Sequence, residues 1–140
     1  MYIPNPYFKN VPEIGDLVLD YIFVENDCPI LFTCKSTDSL YLCLCRTNIG
    51  VQQWVVSEIS IHTLANMIHN RISIYDAFKK DNRKAYIVTW QKGYAKEGYK
   101  ILRSSEIKDE DLPDEDVFLD DDGEALVYLQ KKIEERKGEK

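Results

Sequence analysis

The sequence predicts an α+β domain: a mainly antiparallel sheet of about six strands, helices packed on one face, and a C-terminal helix. Three observations carry this. Apolar residues recur at the two-residue period of strands through position 56, the period lengthens to three and four residues over 60–78, and it is helical again over 124–138. At 140 residues, 44% hydrophobic and 30% charged, the chain has the size and composition of a single domain, 1–140, with its own core.

The elements follow in order. "GDLVLDYIFVEN" at 15–26 opens a strand meander over 14–56, with Leu17, Leu19, Tyr21 and Phe23 spaced for one face. "CPILFTCK" and "LYLCLCR" come next, joined by "STDS", four turn-forming residues that suit a hairpin. Pro29 has no N–H for the ladder and belongs near a strand's start. "VQQWVVS" is a fourth strand, entered through a turn at Asn48–Gly50. Helices fill 60–78. Ile61, Leu64, Ala65 and Ile68 form an i, i+3, i+4, i+7 stripe behind Ser60 as N-cap, and Asn70 is placed to end it in the left-handed conformation. "SIYD" at 73–76 has the spacing of a capping box and opens a second, short helix. "KAYIVTWQK" and "GYKILR" form a hairpin over 84–104, and 105–123 is an acidic strap. The helix over 124–138 carries Leu126, Leu129 and Ile133 on its packed side.

"PILF" (29–32), "YL" (41–42), Trp54 with Ser57, Leu64, "ISIYDAF" (72–78) and the later "DLPDEDVFL" (111–119) resemble a family of small bacterial and phage domains of unknown function, over roughly residues 14–120. The resemblance implies a compact α+β fold and a phage or mobile-element setting. It brings no catalytic residue, and Asn70 stands where that family's pattern has Gly.

Several motifs dissolve on inspection. Cys43 and Cys45 project to the same side of a strand, and Cys28 and Cys34 flank the preceding one, whereas zinc ligands are usually paired on tight turns. Buried structural thiols fit better. His62 and His69 are seven residues apart on a helix, about 10 Å along its axis, too far to share a metal. "GYAKEGYK" has Tyr99 where a phosphate loop needs Lys. Setting Gly123 as the sixth residue of a calcium loop puts Phe118 first and Leu129 twelfth, where acids are required. No nucleophile–base pair and no ligand set emerges, so no enzyme activity, cofactor or metal is expected. The N-terminus lacks a secretion signal, no apolar run reaches the ~18 residues of a membrane span, and the four cysteines suit a reduced cytoplasmic protein.

Two charged blocks survive. Residues 79–103 carry eight basic side chains against Asp81 and Glu97; residues 106–124 carry eleven acids against Lys108. In the basic block, Lys84, Tyr86, Trp90, Lys92, Tyr94, Lys96, Tyr99, Lys100 and Arg103 combine cations with rings, a chemistry that suits a phosphate-bearing base. Lys84, Tyr86, Val88, Trp90 and Lys92 alternate onto one strand face. In the acidic block, Ile107, Leu112, Val117, Phe118 and Leu119 interrupt the charge, which fits a strap anchored by its apolar residues with carboxylates outward. The leading expectation is a non-enzymatic protein, a phage counter-defence factor in the resemblance's setting, that sequesters an anionic nucleotide-like ligand in the basic groove. The alternative is an inhibitor whose Asp114, Glu115, Asp116, Asp120, Asp121 and Asp122 occupy a basic partner's nucleic-acid site. Neither membrane nor direct duplex DNA binding is expected; self-association into a homo-oligomer stays open.

Overall fold

A computed structural model of the chain describes residues 7–26, 28–48, 51–91, 97–119 and 123–138. Five strands come first: β1 (Phe8–Val11), β2 (Gly15–Asn26), β3 (Cys28–Lys35), β4 (Leu40–Asn48) and β5 (Val51–Ile59). Helices α1 (Ile61–Ile68) and α2 (Ile74–Lys79) follow, then β6 (Lys84–Gln91), β7 (Glu97–Arg103), two short 3-10 turns at Ser104–Glu106 and Asp109–Asp111, and α3 (Glu124–Gly138). Among the described residues seven strands pair antiparallel in sequence order, one more than the sequence pattern indicates. The added strand is β1, whose four residues are too short to show a period.

The sheet curls, and side-chain hydroxyls hold the curl. Tyr86 of β6 donates to the Pro12 carbonyl (2.9 Å), and Tyr99 of β7 donates to the Lys9 carbonyl (2.7 Å), so the first strand lies back against the last two. Alternation then divides the strand side chains between two clusters. Phe8, Phe32, Tyr41, Cys43, Trp54, Val56 and Tyr86 fill one, where rings meet edge to face, as Phe8 does Trp54 (5.4 Å between centroids). Leu31, Leu40, Leu42, Val55 and Ala85 join the other, with Leu64 and Met67 of α1, Phe78 of α2 and Leu129 of α3.

One strand breaks the expected phase. The β2–β3 register shifts between Leu19 and Tyr21, so Leu17 and Leu19 enter the first cluster while Tyr21 and Phe23 enter the second. A bulged residue advances the chain by one position, and a one-residue slip exchanges faces. The four residues therefore do not share a face.

Local chemistry explains the helix starts. The Ser60 hydroxyl accepts from Thr63 N–H (3.1 Å) at the α1 N-cap. Asp81 reinforces it, accepting from Ser60 N–H (2.8 Å) and the Thr63 hydroxyl (2.5 Å). Partial burial pushes the Asp81 carboxyl up, but these donors and nearby Arg83 outweigh it and hold it below the usual carboxylate range. Asn70 has φ 59°, ending the helical turn in the left-handed region. Ser73 caps α2 by accepting from Asp76 N–H (3.2 Å). The Ser57 hydroxyl ties α2 to the sheet by donating to the Phe78 carbonyl (3.0 Å).

At α3, Ala125, Tyr128 and Leu129 are buried, while Leu126 is exposed and does not join the packed side. The Tyr128 ring stacks on Tyr21 at 4.4 Å, and its hydroxyl donates to Asp20 Oδ2 (2.6 Å) and pairs with the Thr33 hydroxyl (2.8 Å). Lys132 approaches the same Asp20 oxygen to 2.8 Å. Burial, then the Asp20 carboxylate, pushes the Tyr128 phenol far above its ordinary pKa. The C-terminal helix is thus fixed by a polar cluster as well as by apolar contact.

Candidate interaction surface

The acidic strap is held along its length. Ser104 exchanges two bonds with Arg83, its N–H donating to the Arg83 carbonyl (2.8 Å) and its hydroxyl accepting from Arg83 N–H (2.9 Å). Ile107, Leu112 and Leu119 are buried in the helix-side cluster. Between them the carboxylates are tied individually. Asp109 accepts from Lys79 Nζ (2.7 Å) and the Tyr75 hydroxyl (2.5 Å), and these two donors, Lys79 foremost, hold its carboxyl below the usual range. Arg46 donates to Asp111 Oδ1 (3.1 Å) and to the Glu110 carbonyl.

Beyond Leu112 the strap changes character. Val117 N–H donates to the Asp114 carbonyl (3.0 Å), closing a turn, and Ile74 N–H at the start of α2 donates to the Val117 carbonyl (3.1 Å). The main chain is fixed, yet the side chains face outward. Asp114, Glu115 and Asp116 are exposed and enter no ion pair among the described residues. Val117 and Phe118 are 40% and 45% exposed. Of five apolar residues expected to anchor the strap, three do; Val117 and Phe118 do not, because Val117 is held by its carbonyl and not by its side chain. The result is a turn presenting three carboxylates beside an uncovered ring. Asp120, Asp121 and Asp122 lie outside the described residues.

The described residues of the basic block are divided between two sheet faces and contacts of the fold. Tyr86 is fully buried, its hydroxyl used on Pro12, so its ring has no face for a ligand. Tyr99 is half-buried, packed against the same cluster, with its hydroxyl on Lys9. Lys84 forms an ion pair with Glu13, which raises the lysine's pKa. Register places Lys84, Tyr86 and Val88 opposite Arg103, Ile101 and Tyr99, so Lys100 belongs to the other face. There it shares a 250 Å³ cavity with Lys108, Glu106, Glu110 and Asp111, a lining of mixed sign. Arg103 is exposed and its guanidinium donates to the Asn82 carbonyl. Lys92, Tyr94 and Lys96, and the side chain of Trp90, lie outside the described residues.

Cys34, Cys43 and Cys45 are buried, and the Gln52 amide donates to Cys45 Sγ (3.4 Å). Burial, then the adjacent Cys34, pushes the Cys43 thiol well above its ordinary pKa, opposite to what a nucleophile or metal ligand needs. The Cys28 side chain lies outside the described residues. His62 and His69 are exposed; His62 Nε2 lies 3.4 Å from the Asn66 amide, and the His69 N–H closes α1. Among the described residues no helix is long and apolar enough to cross a membrane. The Asp20–Thr33–Tyr128–Lys132 cluster has no sequence signature, since Asp20, Thr33 and the Tyr128–Lys132 pair of α3 lie 13 to 112 positions apart and only the fold joins them.

Comparison with protein-family models, with curated proteins and with solved structures gives no match to this chain.

Proposed function

We propose that this chain is a non-enzymatic, cytoplasmic protein-interaction domain whose 114–118 turn docks against a cationic partner. The carboxylates occupy positions that a polyanion's phosphates would take, and Phe118 enters an adjacent apolar pocket. The observation that carries this is the contrast within the strap: a main chain bonded at Asp114 and Val117 while Asp114, Glu115, Asp116 and Phe118 stay uncovered. A fixed turn spends little entropy on binding. Uncovered charge speeds encounter and selects partner sign, and an aromatic anchor supplies affinity. Helices closing one sheet face would serve as the support on which the turn is mounted. Nucleotide sequestration in the basic block has less behind it, because Tyr86 and Tyr99 spend their polar groups on the fold.

A photo-crosslinking amino acid at Phe118 supplies the test. In lysate of the native host it should capture a basic protein, and the triple variant Asp114→Asn, Glu115→Gln, Asp116→Asn should capture far less. The captured protein, once purified, should lose binding to this chain as salt rises and should compete with nucleic acid for it. Equal capture by the triple variant, or binding indifferent to salt, would remove the charge-mimicry reading.

A further inference from the structure

A separate part of the molecule has the build of a small-molecule site. Two cavities of about 630 and 560 Å³ share Lys35, Lys132 and Glu135, forming one cleft between the β3–β4 turn and α3. Each is within the ~300–1,000 Å³ range of ligand pockets. The smaller arm has an apolar wall of Tyr21, whose ring stacks on Tyr128, and Val127, which is 72% exposed.

The charges in this arm are of both signs, and they are not equally spent. Asp20 is occupied by Tyr128 and Lys132. Lys35 is 3.6 Å from Asp20, beyond hydrogen-bond reach, and its side chain is half exposed. Lys131 is exposed and enters no ion pair among the described residues. Both ammonium groups therefore keep donors for a ligand. Glu135 offers one oxygen to Lys132 (3.2 Å) and, at 55% exposure, keeps the other.

Spacing narrows the ligand. The Cα positions of Lys131 and Glu135 stand one turn apart on one face of α3, about 6 Å along the axis, so a positive and a negative side chain rise side by side into the arm. The two charged ends of an extended dipeptide are about 7 Å apart. A simple anion entering the arm would meet Asp20, Glu124 and Glu135; a simple cation would meet three lysines. A molecule with one charge of each sign matches both.

The geometry points to a binding site for a short zwitterionic peptide. Its carboxylate lies on Lys131 and Lys35, its ammonium on Glu135, and an apolar side chain against Tyr21 and Val127. This site is independent of the 114–118 turn.

Calorimetric titration of the full chain with glycyl-leucine, its N-acetyl form and its C-terminal amide tests the assignment. The free dipeptide should bind saturably at millimolar concentration or below, and each cap should weaken it about tenfold or more, the loss of one charge-assisted contact. Lys131→Ala and Glu135→Gln should weaken it by a similar factor while thermal melts confirm folding. The 114–116 triple variant should bind the dipeptide as wild type does. No heat from glycyl-leucine, equal affinity for the capped forms, or undiminished binding in Lys131→Ala overturns the assignment.

Discussion

The strap and the β6–β7 hairpin both arrive in the sequence as charge interleaved with apolar or aromatic residues, and the fold uses them in opposite ways. In the hairpin, two of the rings are taken up by the fold: Tyr86 is buried, and the Tyr86 and Tyr99 hydroxyls hold the Lys9–Pro12 segment. Neither of these two rings is left open as a platform for the neighbouring cations. In the strap, Ile107, Leu112 and Leu119 suffice as anchors, and Val117 and Phe118 are left over beside three exposed carboxylates that enter no ion pair among the described residues. A charge run acquires binding potential from its apolar neighbours only where folding has not already consumed them. Charge alone, exposed and screened, decides little.

The largest effect should come from the hairpin side. Tyr86→Ala removes a fully buried ring and the bond to Pro12, and truncations of this kind cost about 3–5 kcal/mol. Tyr86→Phe keeps the ring and loses only the hydroxyl, about 0.5–1.5 kcal/mol. Urea denaturation of both variants checks the order. A near-wild-type midpoint for Tyr86→Ala would return Tyr86 to the surface and reopen the groove.

That contrast also marks how far the sequence could be read. Helix caps at Ser60 and Ser73, the left-handed Asn70 and the α3 span were legible because each rests on chemistry within a few residues. The hairpin turn was too: Ser36 and Ser39 bond each other across four residues. The bulge at Leu19–Tyr21 was not, since strand 15–26 alternates without interruption and only its partner β3 reveals the slipped register. Curling was equally invisible, and with it the fate of Tyr86: an alternating Lys–Tyr–Val strand reads the same whether its face is covered by β1 or open. Likewise, five apolar residues in the strap look alike until packing selects three.

On the strap side, Leu112→Ala should cost less than the aromatic truncation, about 2–4 kcal/mol, because Leu112 keeps some exposure at 8% and a strap can close partly over the gap. Phe118→Ala, six residues further along, should change stability by under about 0.5 kcal/mol, as exposed substitutions do. The same substitution should abolish most of the cross-linked partner's affinity. Paired thermal melts and binding measurements separate the two residues. If Phe118→Ala destabilised the fold as much as Leu112→Ala, the ring would be an anchor after all and the comparison would collapse.

The smallest effect is the most specific test of how the strap is tied. Lys79 and Tyr75 hold the Asp109 carboxyl below its unfolded value, which is around 4. A depressed carboxyl contributes stability above its unfolded pKa and loses it as pH falls through the folded one. The group is fully exposed, so solvent screens the tie and global unfolding should hardly register it. Local opening should. The second 3-10 turn is closed by Asp111 N–H on the Lys108 carbonyl and Leu112 N–H on the Asp109 carbonyl, so exchange of those two amides reports the strap directly. Asp109→Asn should raise their opening relative to wild type at neutral pH, and the difference should shrink on acidification and vanish below the folded pKa of Asp109. Exchange of the Ile74 amide, which bonds the Val117 carbonyl further along, should change less, because Leu112 anchors the strap between Asp109 and Val117 and Leu119 anchors it beyond. A difference that persisted unchanged into acid would mean that the amide's shape, and not the carboxylate's charge, is what the strap has lost.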